Sequence, residues 1–201
     1  MLNKKIPLSL QILINHLKKL PGVGSKTAER YAFQMLKWEK QELQKTSEII
    51  ASIQEKVRLC PNCGCFYEEK CNFCDPDTRS LKTLCIISSP KDAYMIEETQ
   101  SYNGLFHVIE NLLSPIDGFT EKGLRIELLK KTLSKNPIEE VIIALDSSLE
   151  GDATSLYIKE SLADFKVQIS RIAFGLPVGS SLDFVSGGTL QKAFAGRQII
   201  Y

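Results

Sequence analysis

Fifteen residues, CPNCGCFYEEKCNFC (60–74), constrain this chain more than any other stretch. They hold two Cys-x2-Cys pairs, Cys60/Cys63 and Cys71/Cys74, separated by a seven-residue spacer. Four thiolates so spaced can converge on one tetrahedral Zn²⁺, a redox-silent ion with an affinity for sulfur. A loop this short has no core of its own, so metal binding would supply most of its folding free energy. Paired disulfides or unconnected buried thiols are the competing reading, but disulfides require an oxidising compartment, and nothing else in the sequence points to one. Cys65 is expected to be a bystander, because pairing it with Cys60 breaks the Cys-x2-Cys geometry, and Cys85, inside an apolar run, reads as a small buried hydrophobe. A closed four-sulfur site leaves no position for substrate, so the expected zinc is structural, one ion per chain.

The charge is unevenly placed. Residues 1–59 carry 11 lysines and arginines against 5 glutamates, whereas residues 60–201 carry 14 against 19 acids, although the whole chain is only +1. A basic end joined to an acidic remainder suggests a polyanion partner, although lysines that merely solvate helices would give the same balance. The N-terminus lacks the apolar run of a secretory signal and no stretch approaches a membrane helix, so a cytoplasmic location is expected.

Within the basic end, Leu10, Leu13, Ile14, Leu17 and Leu20 recur at helical spacing, and Pro21-Gly22 stops that helix. A second helix follows, with Ser25 as its expected N-cap and Ala28, Tyr31, Ala32 and Met35 on its apolar face. Between them lies LPGVGS, where Gly22 and Gly24 permit a sharp turn and a close approach by a ligand. Free N–H groups at such a helix start bind anions, and Lys26 and Arg30, one turn apart, add two cations. The arrangement resembles a helix-hairpin-helix, a motif that grips DNA backbone without reading bases; a purely structural αα-corner is the bland alternative. A third helix is expected from about Gln41 to Leu59, burying Leu43, Ile49, Ile50, Ile53 and Val57, and Trp38 reads as core rather than a stacking platform.

Beyond the cysteines and a polar linker, 75–80, short apolar strands are expected at Thr83–Ile87, Glu139–Leu145 and Lys166–Ala173. Helices are expected at Lys91–Thr99, 153–162 and Gly187–Ala195, and Arg197–Tyr201 reads as an edge strand or tail. Alternation of this kind implies a mostly parallel sheet covered on both faces, with chemistry at the carboxyl ends of the strands. The candidates there are Ser88/Ser89, the loop DSSLEGD (146–152) and GLPVGSS (175–181). Asp146, Glu150 and Asp152 suit a Mg²⁺ site, a helix-capping loop or a docking surface for a basic partner.

Taken together the chain resembles the RecR family of bacterial recombination mediators. The resemblance rests on LPGVGSKTAER (20–30), the four-cysteine loop, FHVIENLLSPIDG (106–118), LEGDATSLYI (149–158), RIAFGLPVGSSLDF (171–184) and TLQKAFAGR (189–197). It implies an α+β chain of several parts: a helix-hairpin-helix DNA-binding domain (1–59), a four-cysteine zinc finger (60–80), a Toprim-like α/β domain (81–175) and a C-terminal assembly segment (176–201). By the same resemblance Gly22, Gly24, Lys26 and Arg30 contact DNA regardless of sequence, and the protein is a homotetramer or dimer, a ring around DNA, associated with the nucleoid. RecO and RecF would be its partners in loading RecA onto single strands.

Two departures bear on chemistry. Toprim enzymes place a glutamate after their first strand, where this chain has Ser88, and Ser186 stands where family members often carry an acid. The expectation is therefore a protein without catalytic activity, in which Glu150 and Asp152 hold a partner or tune DNA access and any ATP or Mg²⁺ binding is weak. A Mg²⁺-dependent nuclease or primase-like enzyme is the alternative.

Overall fold

The computed structural model describes residues 6–173, 175–176 and 179–197, and the chain divides into two units, residues 1–56 and 57–201. In the first unit, α1 (Leu8–Leu17) packs against α2 (Ser25–Met35). Leu10 and Ile14 of α1 meet Ala28 and Ala32 of α2, with Ile6, Leu13, Leu17 and Val23 around them. The alanines present almost no side chain, which lets two short helices approach closely enough to close a small core.

The third helix, α3 (Lys40–Lys56), ends three residues before the expected boundary, because Arg58 and Leu59 form a strand instead. Its apolar stripe is also not buried: Leu43, Ile49, Ile50 and Ile53 are all exposed, and no residue of α3 is buried. Correct periodicity established the helix but not what would cover it. Tyr31 is likewise exposed, because Ala28 and Ala32 alone fill the contact with α1.

The second unit opens with the antiparallel pair β1 (Arg58–Leu59) and β2 (Phe66–Tyr67), which brackets Cys60, Cys63 and Cys65. A four-stranded parallel sheet follows, built from β3 (Ser80–Ile87), β4 (Gly104–Val108), β5 (Glu140–Ala144) and β6 (Gln168–Arg171) in the order β4-β3-β5-β6. The helices are α4 (Pro90–Glu98), α5 (Ile126–Lys135), α6 (Leu149–Ser161) and α7 (Gly187–Ala195).

Strand alternation sorts the core into two layers. Leu84 and Ile86 of β3 and Leu105 of β4 point into a layer with Leu129 and Leu133 of α5 and Ile158 of α6. Cys85 and Ile87 of β3 and Phe106 and Val108 of β4 point the other way, onto Ala93 of α4 and the cysteine loop. The loop is thus a cover for one sheet face, sharing it with α4.

The short strands β1 and β2 escaped the sequence reading, and so did β4 and α5. β4, GLFHV, is fully buried, but glycine and histidine interrupt its apolar run. α5 starts on Arg125, a non-glycine residue in the left-handed region (φ 53°), rather than on the Ser, Thr, Asp or Asn that signals a helix start. The proposed tail strand at 197–201 lies largely outside the described residues, in which Arg197 belongs to no element.

Candidate nucleic-acid interface and metal centre

The α1–α2 turn is built around two glycines with different tasks. Gly22 takes φ +76°, a left-handed conformation that costs other residues energy. Gly24 is extended and is itself the N-cap of α2, so Ser25, expected to cap, is the first helical residue. The turn is closed by the Val23 N–H donating to the Leu20 carbonyl (3.1 Å), and α2 begins with the Ala28 N–H donating to Gly24 (2.9 Å). The earlier N–H groups of α2 have no helical acceptor, as at any helix start. A methyl group added at Gly22 or Gly24 would meet nothing within 4 Å, so this tip is open. Lys26 and Arg30 are both exposed, and their four-residue spacing puts them on one face of α2. The structure therefore brings all four expected DNA-contacting residues to one accessible helix start.

The four-cysteine loop closes as the spacing requires. The Sγ atoms of Cys60, Cys63, Cys71 and Cys74 all lie within 4.8 Å of one another, the one such group among the described residues. Cys60 and Cys74 are 3.6 Å apart and Cys63 and Cys71 are 3.5 Å apart. Disulfide sulfurs would sit near ~2.05 Å, whereas Zn–S bonds of ~2.3 Å in a tetrahedron give edges of about 3.8 Å. The sulfurs thus fit a tetrahedral ion that prefers thiolate. Hydrogen bonds from Cys63, then Cys71 and Cys74, drive the Cys60 thiol far down, while Cys60 and then Cys65 drive Cys63 up. Sulfurs this close cannot all ionise without a cation among them. Gly64 carries φ +83°, and a Cβ there would collide with Arg125 Nη1 (2.6 Å) and Val108 Cβ (2.8 Å). Cys65 stays outside the group of four, fully buried, and burial pushes the Cys85 thiol up to about 12.

Arg79, in the linker after the cysteines, was not singled out from sequence. Its side chain is only 6% exposed. It pairs with Glu97 of α4 (2.6 Å), donates from Nε to the Gly104 carbonyl (2.9 Å), and lies over the Phe106 ring (5.3 Å). A buried cation held this way fastens the loop's exit to the sheet.

At the carboxyl edge of the sheet, Ser89 caps α4 and Asp92 closes the capping box, accepting from the Ser89 N–H (2.8 Å) and the Ser88 hydroxyl (3.2 Å). Ser148 caps α6, accepting from the Gly151 N–H (3.0 Å). Asp146 and Glu150 are exposed and enter no metal-ligating group among the described residues. Asp152 has a different environment. It pairs with Arg171 at the end of β6 (2.7 Å) and with Lys192 of α7 (3.4 Å), and Lys192 also donates to the Ser147 hydroxyl (2.6 Å). The hydrogen bond from Arg171 first, then the Lys192 charge, hold the Asp152 carboxyl below its usual range. Neither cation was marked by the sequence, because nothing local to RIAF or LQKAF indicates which acid it meets. Ser186 caps α7, accepting from the Thr189 N–H (3.2 Å). Of GLPVGSS, residues 177 and 178 lie outside the described residues.

Comparison with known proteins gives three consecutive family matches: RecR, helix-hairpin-helix over residues 10–53, Toprim domain over 82–173, and RecR, C-terminal over 175–198. The chain is 48% identical over 194 residues to "Recombination protein RecR" of Protochlamydia amoebophila (strain UWE25), covering 96% of this chain and 98% of that one. It is 43% identical over 196 residues to the protein of the same name from Chlamydia felis (strain Fe/C-56), again 96% and 98%. With that from Clavibacter michiganensis subsp. michiganensis (strain NCPPB 382) it shares 40% over 192 residues, 95% and 96% of the two chains. With its helix-hairpin-helix, clustered cysteines, Toprim domain and C-terminal segment in that order, the chain belongs to the RecR family of DNA-recombination and repair proteins.

Proposed function

We propose that this protein is a non-catalytic recombination mediator that assembles as a ring clamp on DNA and, with RecO and RecF, promotes RecA loading on single strands. The observation that carries the DNA-binding part is the open helix start at Gly22–Arg30, where two glycines leave backbone N–H groups uncovered beside two exposed cations. Such a site recognises phosphate and is blind to base sequence. One hairpin makes few phosphate contacts, so several copies facing one duplex are needed for useful affinity, which is the physical case for a homotetramer or dimer.

A mediator without catalysis is supported by what the carboxylates do. Ser88 follows the first sheet strand, where Toprim enzymes place a glutamate, Asp92 is committed to a helix cap, and Asp152 to two cations. Glu150 remains exposed on the first turn of α6 and is the better candidate for holding a basic partner surface. Among the described residues no helix is long and apolar enough to cross a membrane, and the proposed location is the cytoplasm, at the nucleoid.

Sedimentation of the purified protein, with and without duplex DNA, tests this reading. Assembly beyond a monomer and salt-sensitive co-sedimentation with DNA of any sequence are expected. A monomer at working concentration, or Mg²⁺-dependent nicking abolished by Glu150→Gln, would overturn it.

A further inference from the structure

The cysteine loop does more than cover a sheet face: it touches the chain at the points where one surface segment begins and ends. The Val108 N–H, at the last residue of β4, donates to the Cys63 carbonyl over 2.7 Å. Arg125, immediately before α5, sends Nη2 to the Pro61 carbonyl at 3.1 Å. Its other terminal nitrogen packs so closely on Gly64 that no side chain fits there. The residues between these two anchors, 109–124, leave the sheet at its carboxyl edge and return to start α5.

That segment is tied internally and to one further helix. The Glu110 N–H donates to the Gly123 carbonyl (2.7 Å), closing its neck, and His107 Nε2 lies 3.3 Å from the Leu124 carbonyl. The Leu113 N–H donates to Thr154 Oγ1 of α6 (2.8 Å), four residues on from Glu150. At its tip Ser114 and Phe119 bridge, and Ile116 stands 98% exposed. Ile109 and Leu124 are buried in the core and Leu112 and Leu113 pack against it, but little apolar surface holds the tip around Ile116 down, so the order of the tip depends on how firmly the two ends are fixed.

We propose that the metal centre and the 109–125 segment form one mechanical unit, latched by Arg125, so that metal occupancy decides whether Ile116 and the adjoining face of α6 are presented in a fixed conformation. The physical reason is the geometry of a small metal loop. Without the ion, the Cys60–Cys65 turn keeps its packing on Ile87, Phe106 and Val108 but loses the tie to Cys71 and Cys74 that fixes where the Pro61 and Cys63 carbonyls sit. Both carbonyl acceptors would then move together, and the Val108 and Arg125 bonds at the two ends would weaken, while Ile109 and Leu124 stay in the core. Among the described residues β5 makes no such bond to the loop: its strand partners are β3 and β6. Loosening is therefore local, and a metal-dependent order–disorder change at a partner-facing surface is the result.

The inference rests on the four cysteines holding zinc, which a colorimetric metal assay reports separately. Amide hydrogen exchange is measured on the full chain before and after stripping the metal with a chelator. Exchange at Val108, Glu110 and Leu113 is expected to rise by roughly ten-fold or more, with the amides of Val141–Ile143 unchanged. Arg125→Asn, a residue that tolerates the left-handed backbone, is expected to loosen Glu110 and Leu113 while keeping its full zinc content. Unchanged exchange after metal loss overturns the coupling, and so does equal loss at β5, because the ion would then support the whole unit. A fully loaded Arg125→Asn protein that exchanges like the parent removes the latch. Should that variant not fold, the chelation experiment on the unsubstituted chain still decides. A purified chain with no zinc defeats the metal reading and this inference with it.

Discussion

The carboxylate of Asp152, on the first turn of α6, meets the guanidinium of Arg171, at the end of β6, over 2.7 Å. Lys192 reaches the same carboxylate from α7 at 3.4 Å. One acid thus gathers a strand end, a helix start and the C-terminal helix, and a residue placed among possible metal ligands from sequence serves as an internal tie.

Asp152→Asn should release α7 while leaving the parallel sheet intact. The Arg171 hydrogen bond, then Lys192, lower the Asp152 carboxyl below its usual value, so its contribution is present above the ordinary carboxylate pKa of ~3.9 and is lost as pH falls through the lower folded-state value. Limited proteolysis between residues 179 and 197 checks this: faster cleavage in the variant at neutral pH is expected, and equal cleavage would remove the tie.

For Lys26→Ala combined with Arg30→Ala, DNA affinity should drop by a similar factor for every sequence. The slope of log affinity against log salt should flatten by about 0.9 per lost phosphate contact on each hairpin. Unchanged affinity would take this helix start out of the DNA site.

Metal analysis should find one zinc per chain, held by the four clustered sulfurs. Cys74→Ser should lower metal retention under chelator challenge, whereas Cys65→Ala should keep the stoichiometry, because Cys65 lies outside the group of four. Equal losses in the two variants would make Cys65 a ligand.

His107 gives the fold a pH dependence. It is 1% exposed, Nδ1 has no hydrogen-bond partner among the described residues, and burial pulls its pKa from 6.5 down to about 4. An unfolded chain takes up that proton near pH 6.5 and the folded chain only near 4. Stability is therefore complete above about 6.5 and erodes as pH drops toward 4, by about 3 kcal/mol in total. Urea midpoints between pH 7.5 and 4.5 measure it, and His107→Phe should shrink the slope.

Gly151→Ala should destabilise the second unit by roughly 1–3 kcal/mol, measured by urea unfolding, because an added Cβ would strike the Asp146 carbonyl oxygen, backbone that cannot step aside. A neutral substitution would mean that α6 can shift at its N-terminus.

Much was written locally. Paired Cys-x2-Cys spacing predicts convergence because two short turns leave sulfurs few other directions. The i, i+3, i+4 pattern of Leu10, Ile14 and Leu17 predicts α1, and Pro21, Gly22 and Gly24 predict the turn beyond it, because these depend on residues within one or two turns of chain. The parallel sheet followed from strands alternating with helices. What local pattern could not supply was partnership across distance. The stripe on α3 has helical spacing, yet Ile49 and Ile50 remain exposed, because periodicity names a face and not what meets it. Asp152 looks the same in sequence as Glu150; only folding brings Arg171 and Lys192 to one and leaves the other in solvent. The helix start at Arg125 was silent for a similar reason, because its guanidinium is anchored 64 residues back at Pro61, a contact that exists only once the cysteine loop has docked.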